Sequence, residues 1–273
     1  MRYIRTITIG LFAVSLAIWL ISTVVFNRNM DKTSPVITAE SDQIQVSVAD
    51  GDAALVEGLQ ASDNKDGNLT DQIIIGKRSK FVHKGISEVT FLVFDSSNNV
   101  GSYTRTVEYK DYRSPEFALS MPLVYGVGDA VTVLDRLTVT DVIEGDISDK
   151  IKIVSSDVNK SEPGTYTIGV EACNSFGDII SAKLPINIVS DNKNVPVINL
   201  DTCLVTLNKG ETFNPVVYLK DVTLTDGSTV GIEDVQINAQ VDSSVVGTYQ
   251  TMYSYTDAAG VTGYTSLTVV IRE

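Results

Sequence analysis

The sequence predicts an all-β protein made of three tandem sandwich domains that follow one N-terminal membrane-spanning helix. Three observations support this prediction: an uncharged apolar segment near the N-terminus, a unit of about 80 residues that occurs three times, and a period of two in the hydrophobic residues of each unit. A period of two is typical of strands that bury one face. The chain has 273 residues, which is also long for a single domain.

The apolar segment covers residues 6–26 and contains no charged side chain. A helix of that length spans roughly 30 Å, the thickness of the hydrocarbon layer of a membrane. Arg2 and Arg5 precede it, so the positive-inside rule places residues 1–5 in the cytoplasm and the bulk of the chain outside the cell. A cleaved secretory signal is the alternative, but its apolar region is shorter and ends at small residues. We therefore expect a single-pass membrane protein with a linker at 27–33.

The three units begin with Pro35, Pro115 and Pro196, which are 80 and 81 residues apart. In the second half of each unit, a glycine precedes a strand with a period of two, and a short turn leads into a second such strand. This pattern predicts a β-hairpin, with Asn or Gly at the turn position that needs a positive φ. The aligned positions are Gly85, Gly164 and Gly247 before the strand, Asp95, Asn174 and Asp257 at its end, and Asn98, Gly177 and Gly260 in the turn.

About seven short strands in 80 residues are typical of an immunoglobulin-like sandwich. We place the three domains at residues 34–112, 113–191 and 194–273. Prolines at the junctions favour short stiff connectors, so we expect the domains to form a stalk.

Two motifs carry a resemblance to a known family. The loop at 63–69 reads Asp-x-x-Asp-Gly-x-Leu, and residues 247–260 begin with Gly-Thr-Tyr and end with Thr-Asp-Ala-Ala-Gly. They resemble the bacterial Ig-like domains named after a pesticidal crystal protein, which are similar to hyalin-type repeats. The resemblance covers residues 34–273 and implies tandem modules of a bacterial surface protein, so it implies fold and location more than activity. The loop at 221–234 of the third unit departs from the motif.

The acidic loops are the candidate metal site. Several carboxylate oxygens that converge would suit a hard cation such as calcium, although the usual 12-residue calcium loop with its terminal Glu is absent. The alternative interpretation is that these residues cap turns and keep the surface acidic. The candidate ligands are Asp63, Asp66, Asp71, Asp141, Glu144, Asp146 and Asp149.

Composition excludes several functions. The 21 basic and 34 acidic side chains give a net charge of −13, which would repel the phosphates of a nucleic acid. His83 is the only histidine, and the two cysteines, Cys173 and Cys203, are too few for a Cys-rich zinc site. Glycoside hydrolysis by paired carboxylates needs a cleft, which small sandwiches rarely have. We expect both cysteines to be free thiols, and we expect no enzymatic activity.

Our leading hypothesis is a membrane-anchored bacterial surface protein whose stalk presents residues 194–273 for adhesion to a protein or glycan. One alternative is a carbohydrate- or cell-wall-binding module, for which Tyr264 is the one aromatic ring on an outward strand position of the last hairpin. Another alternative is a scaffold subunit for envelope assembly.

Overall fold

The computed structural model describes residues 2–29, 31–190 and 193–273. It confirms the predicted fold class, because an apolar helix is followed by three β-sandwich domains. The chain divides into two compact units: Met1–Lys110 contains the helix and domain 1, and Asp111–Glu273 contains domains 2 and 3.

Parts of three predicted segments lie outside the described residues. These parts are Met1 of the cytoplasmic end, Met30 of the linker, and Asp191 at the predicted end of domain 2 together with the neighbouring Asn192.

Helix α1 (Arg2–Asn29) contains the predicted apolar segment. Its stretch Tyr3–Val24 has 22 residues, which is long and apolar enough to cross a membrane, and no residue of its most apolar window is buried inside the protein. Hydroxyl groups in this stretch donate to carbonyls of the preceding turn, as Thr8 Oγ1 does to Ile4 O at 2.8 Å. Such bonds satisfy these hydroxyl donors within the helix, as a hydrocarbon environment requires.

Domain 1 consists of two facing sheets, ordered β1-β3-β4 and β2-β7-β6-β5. Strand β2 runs parallel to β7, and the other described pairs are antiparallel, so the chain changes sheet between β1 and β2. A short helix, α2 (Gly51–Leu55), and two 3-10 turns (Val48–Asp50 and Thr70–Gln72) complete the domain. The strands are β1 (Val36–Ala39), β2 (Gln43–Val46), β3 (Leu59–Asp63), β4 (Gly67–Asn68), β5 (Ile74–Arg78), β6 (Ile86–Phe94) and β7 (Val100–Tyr109).

Domain 2 repeats this arrangement with sheets β11-β10-β8 and β12-β13-β14-β9, and β9 runs parallel to β14. Its 3-10 turn is Ser148–Lys150. The strands are β8 (Glu116–Leu119), β9 (Val124–Gly126), β10 (Leu137–Asp141), β11 (Gly145–Asp146), β12 (Lys152–Ser156), β13 (Gly164–Cys173) and β14 (Ile179–Val189).

Domain 3 has sheets β15-β17-β18 and β16-β21-β20-β19, with β16 parallel to β21, so the threefold repeat in the sequence is also a repeat of topology. Its 3-10 turn is Pro215–Tyr218. The strands are β15 (Val197–Leu200), β16 (Leu204–Asn208), β17 (Leu219–Thr223), β18 (Thr229–Val230), β19 (Gln236–Gln240), β20 (Gly247–Thr256) and β21 (Thr262–Arg272).

The predicted hairpin in each unit is the longest strand pair of its domain, and its turn has the expected backbone. Asn98, Gly177 and Gly260 have φ angles of 64°, 83° and 81°. Only glycine and, less readily, asparagine adopt this region without a large steric cost. The three turns therefore hold the residue that follows the first strand of each hairpin in an equivalent position. These residues are Asp95, Asn174 and Asp257.

Arg105 breaks the apolar alternation of β7, yet it is only 2% exposed. Its guanidinium donates hydrogen bonds to the carbonyls of Leu55 and Glu57 and lies 5.5 Å from the centre of the Phe91 ring. Burial lowers the pKa of Arg105. The arginine therefore closes the core of domain 1 with its side chain, while its charge is stabilised by carbonyl oxygens and an aromatic face.

Domains 2 and 3 share apolar contacts at their junction. Cys203 directly precedes β16 of domain 3 and Leu204 is its first residue, but both are buried in the hydrophobic core of domain 2. The predicted free thiols are confirmed, since neither Cys173 nor Cys203 forms a disulfide. Polar contacts flank the junction, from Asn187 Nδ2 to Gln250 Oε1 at 2.9 Å and from Arg272 to Glu116 at 2.8 Å.

Gly263 is required where the carbonyl of Pro196 approaches β21: a Cβ at this position would lie 1.8 Å from that oxygen. We expect Gly263→Ala to lower the free energy of unfolding by about 1–3 kcal/mol, because backbone must move to relieve the clash. Urea denaturation followed by circular dichroism measures the change. Gly247→Ala is the matched control, because a Cβ there would lie 3.5 Å from the Tyr249 ring, an ordinary contact. Equal effects of the two substitutions would contradict the steric explanation.

Candidate metal centre

Three aspartates meet at one end of domain 1. Asp31 precedes β1, Asp63 ends β3, and Asp95 begins the turn between β6 and β7. One carboxylate oxygen of each lies within 4.8 Å of the corresponding oxygens of the other two. Oxygens on opposite sides of a calcium ion are about 5 Å apart, since each bond is about 2.3–2.6 Å long. The three carboxylates are therefore spaced closely enough to bind one ion.

Asp63 is fixed by the loop that follows β3. Its Oδ1 accepts hydrogen bonds from the backbone N–H of Asp66 at 3.0 Å and of Lys65 at 2.8 Å. These two bonds lower the pKa of the Asp63 carboxyl, so it is ionised near neutral pH. The residue is 9% exposed, and its Oδ2 is inaccessible to solvent and has no hydrogen-bond partner in the described chain. One oxygen thus orients the side chain and the other is available to a ligand.

Asp95 closes the hairpin turn and is 6% exposed. Its Oδ1 accepts hydrogen bonds from the backbone N–H of Ser97 at 2.8 Å and of Asn99 at 2.7 Å. Its Oδ2 accepts one from Asn99 Nδ2 at 2.6 Å. Because these bonds come from its own turn, the position of the carboxylate is set locally.

Asp31 belongs to the segment that leads from helix α1 to domain 1. Its Oδ1 accepts a hydrogen bond from the Thr33 N–H at 2.9 Å, and its carbonyl accepts one from Asn99 Nδ2 at 3.1 Å. Asn99 thus joins this segment to the hairpin turn that holds Asp95. Like that of Asp63, the Oδ2 of Asp31 is shielded from solvent and unpartnered within residues 2–29, 31–190 and 193–273.

Of the seven acidic residues predicted as ligands, Asp63 alone belongs to this cluster. In the same loop, Asp66 accepts hydrogen bonds from the N–H and Oγ of Ser96 at 2.7 and 2.9 Å. Asp71 is exposed on the 3-10 turn that follows. Asp66 therefore joins the loop to the hairpin turn. This is a turn-capping contact, as expected if the acidic residues cap turns rather than bind a metal.

The acidic loop of domain 2 has the same capping contacts. Glu144 accepts hydrogen bonds from the N–H and Oγ of Ser175 at 2.6 and 2.8 Å, and it pairs with Lys150 at 2.5 Å. Burial raises the pKa of Glu144, but the bonds from Lys150 and Ser175 outweigh it and the net pKa is below the usual value. Asp146 accepts from Ser148 N at 2.9 Å, and Asp149 is exposed.

Domain 2 has an amide where domain 1 has a carboxylate. Strand register and turn bonds align Asp141 with Asp63 and Asn174 with Asp95. Asn174 Nδ2 donates to Asp141 Oδ2 at 2.9 Å and to Tyr112 Oη at 2.9 Å. Asp141 is only 1% exposed, so an N–H donor satisfies its buried oxygen.

Domain 3 lacks the buried carboxylate. The register of β15, β17 and β18 aligns Leu224 with Asp63, and Leu224 packs against the hydrophobic core of domain 3. Asp257 keeps its turn-closing bonds from Ala259 N and Val261 N, both at 2.9 Å. Within the described chain, only domain 1 therefore brings three carboxylates together.

Sequence reasoning did not identify Asp31 or Asp95 as candidate ligands. Asp95 was visible as a position that repeats with the hairpin, and Asp31 stands four residues before the proline that opens domain 1. A set of three carboxylate oxygens suits hard cations such as calcium, magnesium or manganese better than zinc or copper, which favour nitrogen and sulfur.

Asn174→Asp tests the role of the amide in domain 2. We expect a loss of about 1–3 kcal/mol in the free energy of unfolding in EDTA, because Asp141 loses a buried donor and faces a second carboxylate. Denaturant unfolding measures it. Asp257→Asn in domain 3 is the control, because an amide oxygen still accepts both turn bonds, and it should change stability by less than about 0.5 kcal/mol. An unchanged Asn174→Asp variant would show that the amide is dispensable.

Comparison with known proteins agrees with this architecture. Residues 202–271 match the family model described as "Bacterial surface protein, Ig-like domain". An uncharacterized 81.3 kDa protein of Acholeplasma phage L2 is 28% identical over 229 residues, which are 78% of this chain and 30% of that protein. This chain spans less than a third of the length of the curated relatives that it matches.

Among solved structures, EC1-4 of Drosophila N-cadherin aligns at 12% identity with a TM-score of 0.27, over 84% of this chain and 73% of that one. The pesticidal crystal protein Cry22Aa of Bacillus thuringiensis is 26% identical over 222 residues, which are 78% of this chain and 29% of that protein. The similarity to Cry22Aa, together with the match of domain 3 to the bacterial surface Ig-like model, confirms the resemblance inferred from the sequence.

Proposed function

We propose that this chain is a non-enzymatic, membrane-anchored surface protein of bacteria whose Ig-like domains bind a protein partner through domain 3. The observation that carries the proposal is helix α1: its stretch Tyr3–Val24 is apolar and long enough to span a bilayer, and none of its most apolar window is buried against the described chain. Apolar side chains left in water are unfavourable, whereas a membrane removes them from water. Arg2 and Arg5 favour a cytoplasmic N-terminus.

The junction between domains 2 and 3 supports a load-bearing role. Because Cys203 and Leu204 of domain 3 are part of the core of domain 2, bending at this junction would expose apolar surface. The ion pair between Arg272 and Glu116 and the bond between Asn187 and Gln250 add orientation. Domains 2 and 3 would therefore move together when a ligand is bound.

The acidic loops support a non-enzymatic role. The paired carboxylates that a hydrolase would use are occupied in domain 2, where Asp141 accepts the N–H of Ile143 and of Glu144 as well as the Asn174 amide. Asp141 is also only 1% exposed, so a substrate or a catalytic water does not reach its carboxylate, as a nucleophile or a general base requires.

Leu16→Arg tests the anchor. A charge near the centre of the apolar stretch costs about 2.5–3.5 kcal/mol on insertion scales, so we expect the variant to leave the carbonate-resistant membrane fraction of the expressing bacterium. Val217→Arg, an exposed substitution in domain 3, adds the same charge and should remain in that fraction.

The same cells distinguish an anchor from a cleaved signal. We expect the membrane-bound chain to retain its N-terminal peptide in mass spectrometry, and we expect protease added to intact cells to digest the Ig-like domains. A mature chain that lacks residues 6–26, or domains protected from external protease, would contradict the proposal.

Carbohydrate binding is a second candidate because Tyr264 lies on a groove. Its side chain is 43% exposed, and the groove where domain 2 meets domain 3 has a volume of about 530 Å³. Met121 and Pro122 line one part of the groove, and Asn199 adds a polar group. An exposed ring beside polar groups suits a sugar, which stacks on the ring and forms hydrogen bonds at its edge.

Tyr264→Ala tests this candidate. If the groove binds sugars, glycan-array affinity should fall by about 2- to 12-fold, because the loss of one stacking ring is worth about 0.5–1.5 kcal/mol. Tyr264→Phe keeps the ring and should keep most of the affinity. Equal binding by the wild-type protein and the alanine variant would remove the groove from consideration.

A further inference from the structure

We propose that Asp31, Asp63 and Asp95 bind a calcium ion that fixes the segment between the membrane helix and domain 1 onto the first sandwich. The site is built from side chains of domain 1 and its preceding segment alone, so it does not depend on the identity of any partner of domain 3.

The first argument is the state of Asp63. More than nine-tenths of this residue is buried, and its Oδ2 has neither solvent nor a hydrogen-bond donor among the described residues. The Oδ2 of Asp31 is in the same condition. A buried carboxylate oxygen without a partner is strongly unfavourable, and two of them beside a third carboxylate repel one another. A cation between the three oxygens removes both costs.

The second argument comes from the other two domains. At the equivalent place, domain 2 has the N–H of Asn174, which donates to Asp141 at 2.9 Å. Domain 3 has Leu224 in place of the buried acid, which removes the need for a donor. Each of those two domains therefore neutralises this position with its own residues. Domain 1 keeps the carboxylates and leaves two oxygens open.

Calcium fits these ligands better than the other hard cations. Calcium accepts six to eight oxygens in flexible geometry, whereas magnesium requires a near-ideal octahedron and keeps several waters. Three carboxylates supplied by a strand end, a hairpin turn and a connecting segment give irregular geometry. Modules outside the cell commonly bind calcium with dissociation constants of about 10⁻⁴–10⁻³ M, and we expect this range.

The consequence concerns the connecting segment. Asp31 is followed by exposed Lys32 and Thr33 and then by the buried Pro35. A bound ion would join Asp31 to the end of β3 and to the hairpin turn, in addition to the Asn99 bond. Calcium would thus hold the base of the first domain against the chain that emerges from helix α1.

The experiment uses the full chain in detergent micelles with calcium chloride as the probe. We expect a lysine-specific endoprotease to cut after Lys32 faster when this segment is detached, because proteases bind locally unfolded, extended chain. At 10 mM calcium, we expect cleavage between Lys32 and Thr33 to slow by roughly 10- to 100-fold relative to EDTA, the ratio of total to ligand-free site at the expected affinity. Magnesium chloride at the same concentration should protect by less than about threefold under the same relation. Calorimetric titration with calcium should show one site per chain.

Two variants assign the effect to the cluster. Asp31→Asn lies outside the strands, so the sandwich should fold while calcium protection is lost. Asp95→Asn can donate to Asp63 Oδ2, as Asn174 donates to Asp141, although it removes the acceptor of the Asn99 amide. This variant should gain no melting temperature and no protection from calcium. Asp71→Asn is the matched control, since it removes an exposed carboxylate of the same domain and should keep full protection.

The proposal is overturned if calcium produces no heat and no protection, or if Asp31→Asn and Asp95→Asn are protected as well as Asp71→Asn. Equal protection by calcium and magnesium would overturn the assignment to calcium. Because all readouts use purified protein, these failures leave membrane anchoring untouched, and loss of the Leu16→Arg variant from membranes does not bear on the ion site.

Discussion

In domains 1 and 2, strands β3 and β10 each end in an aspartate whose carboxylate must be stabilised where solvent cannot reach it. In domain 1 this residue is Asp63 and in domain 2 it is Asp141, and both are buried. Backbone N–H groups of the next loop bind one oxygen in each case and thereby set the conformation of that loop. The second oxygen points toward the hairpin turn and needs a donor or a cation. This requirement explains why the hairpin turn, and the segment before the first strand of each domain, carry polar side chains at this end of the sandwich.

Both domains recruit the chain that precedes their first strand. In domain 2, the Tyr112 hydroxyl accepts a hydrogen bond from Asn174 and donates one to Asp178 at 2.8 Å. Burial is the largest cause of the raised pKa of Tyr112, and the bond to Asp178 is the next largest. In domain 1, Asp31 occupies the corresponding segment. The connecting segments are thus attached through polar groups at the same end of each sandwich, with a phenol and amide in one case and carboxylates in the other.

The sequence was sufficient to predict the fold because its signals are local. Proline spacing, alternation along strands and the turn residues Asn98, Gly177 and Gly260 each act within a few residues of chain. It could not predict the cluster, because Asp31 and Asp95 are 64 residues apart and meet only through sheet packing. The sequence did not reveal the burial of Arg105 for the same reason, since its carbonyl partners lie at the end of α2 and just after it, about 50 residues away.

Two different kinds of contact therefore join neighbouring parts of this chain. Cys203 and Leu204 join domain 3 to domain 2 through apolar burial, which is nearly independent of the ions in solution. Asp31 joins the segment after the helix to domain 1 through carboxylates, whose mutual repulsion depends on the cations present. The contact between domains 2 and 3 therefore depends mainly on apolar burial, whereas the proposed ion site makes the attachment of the segment after helix α1 depend on the cations present.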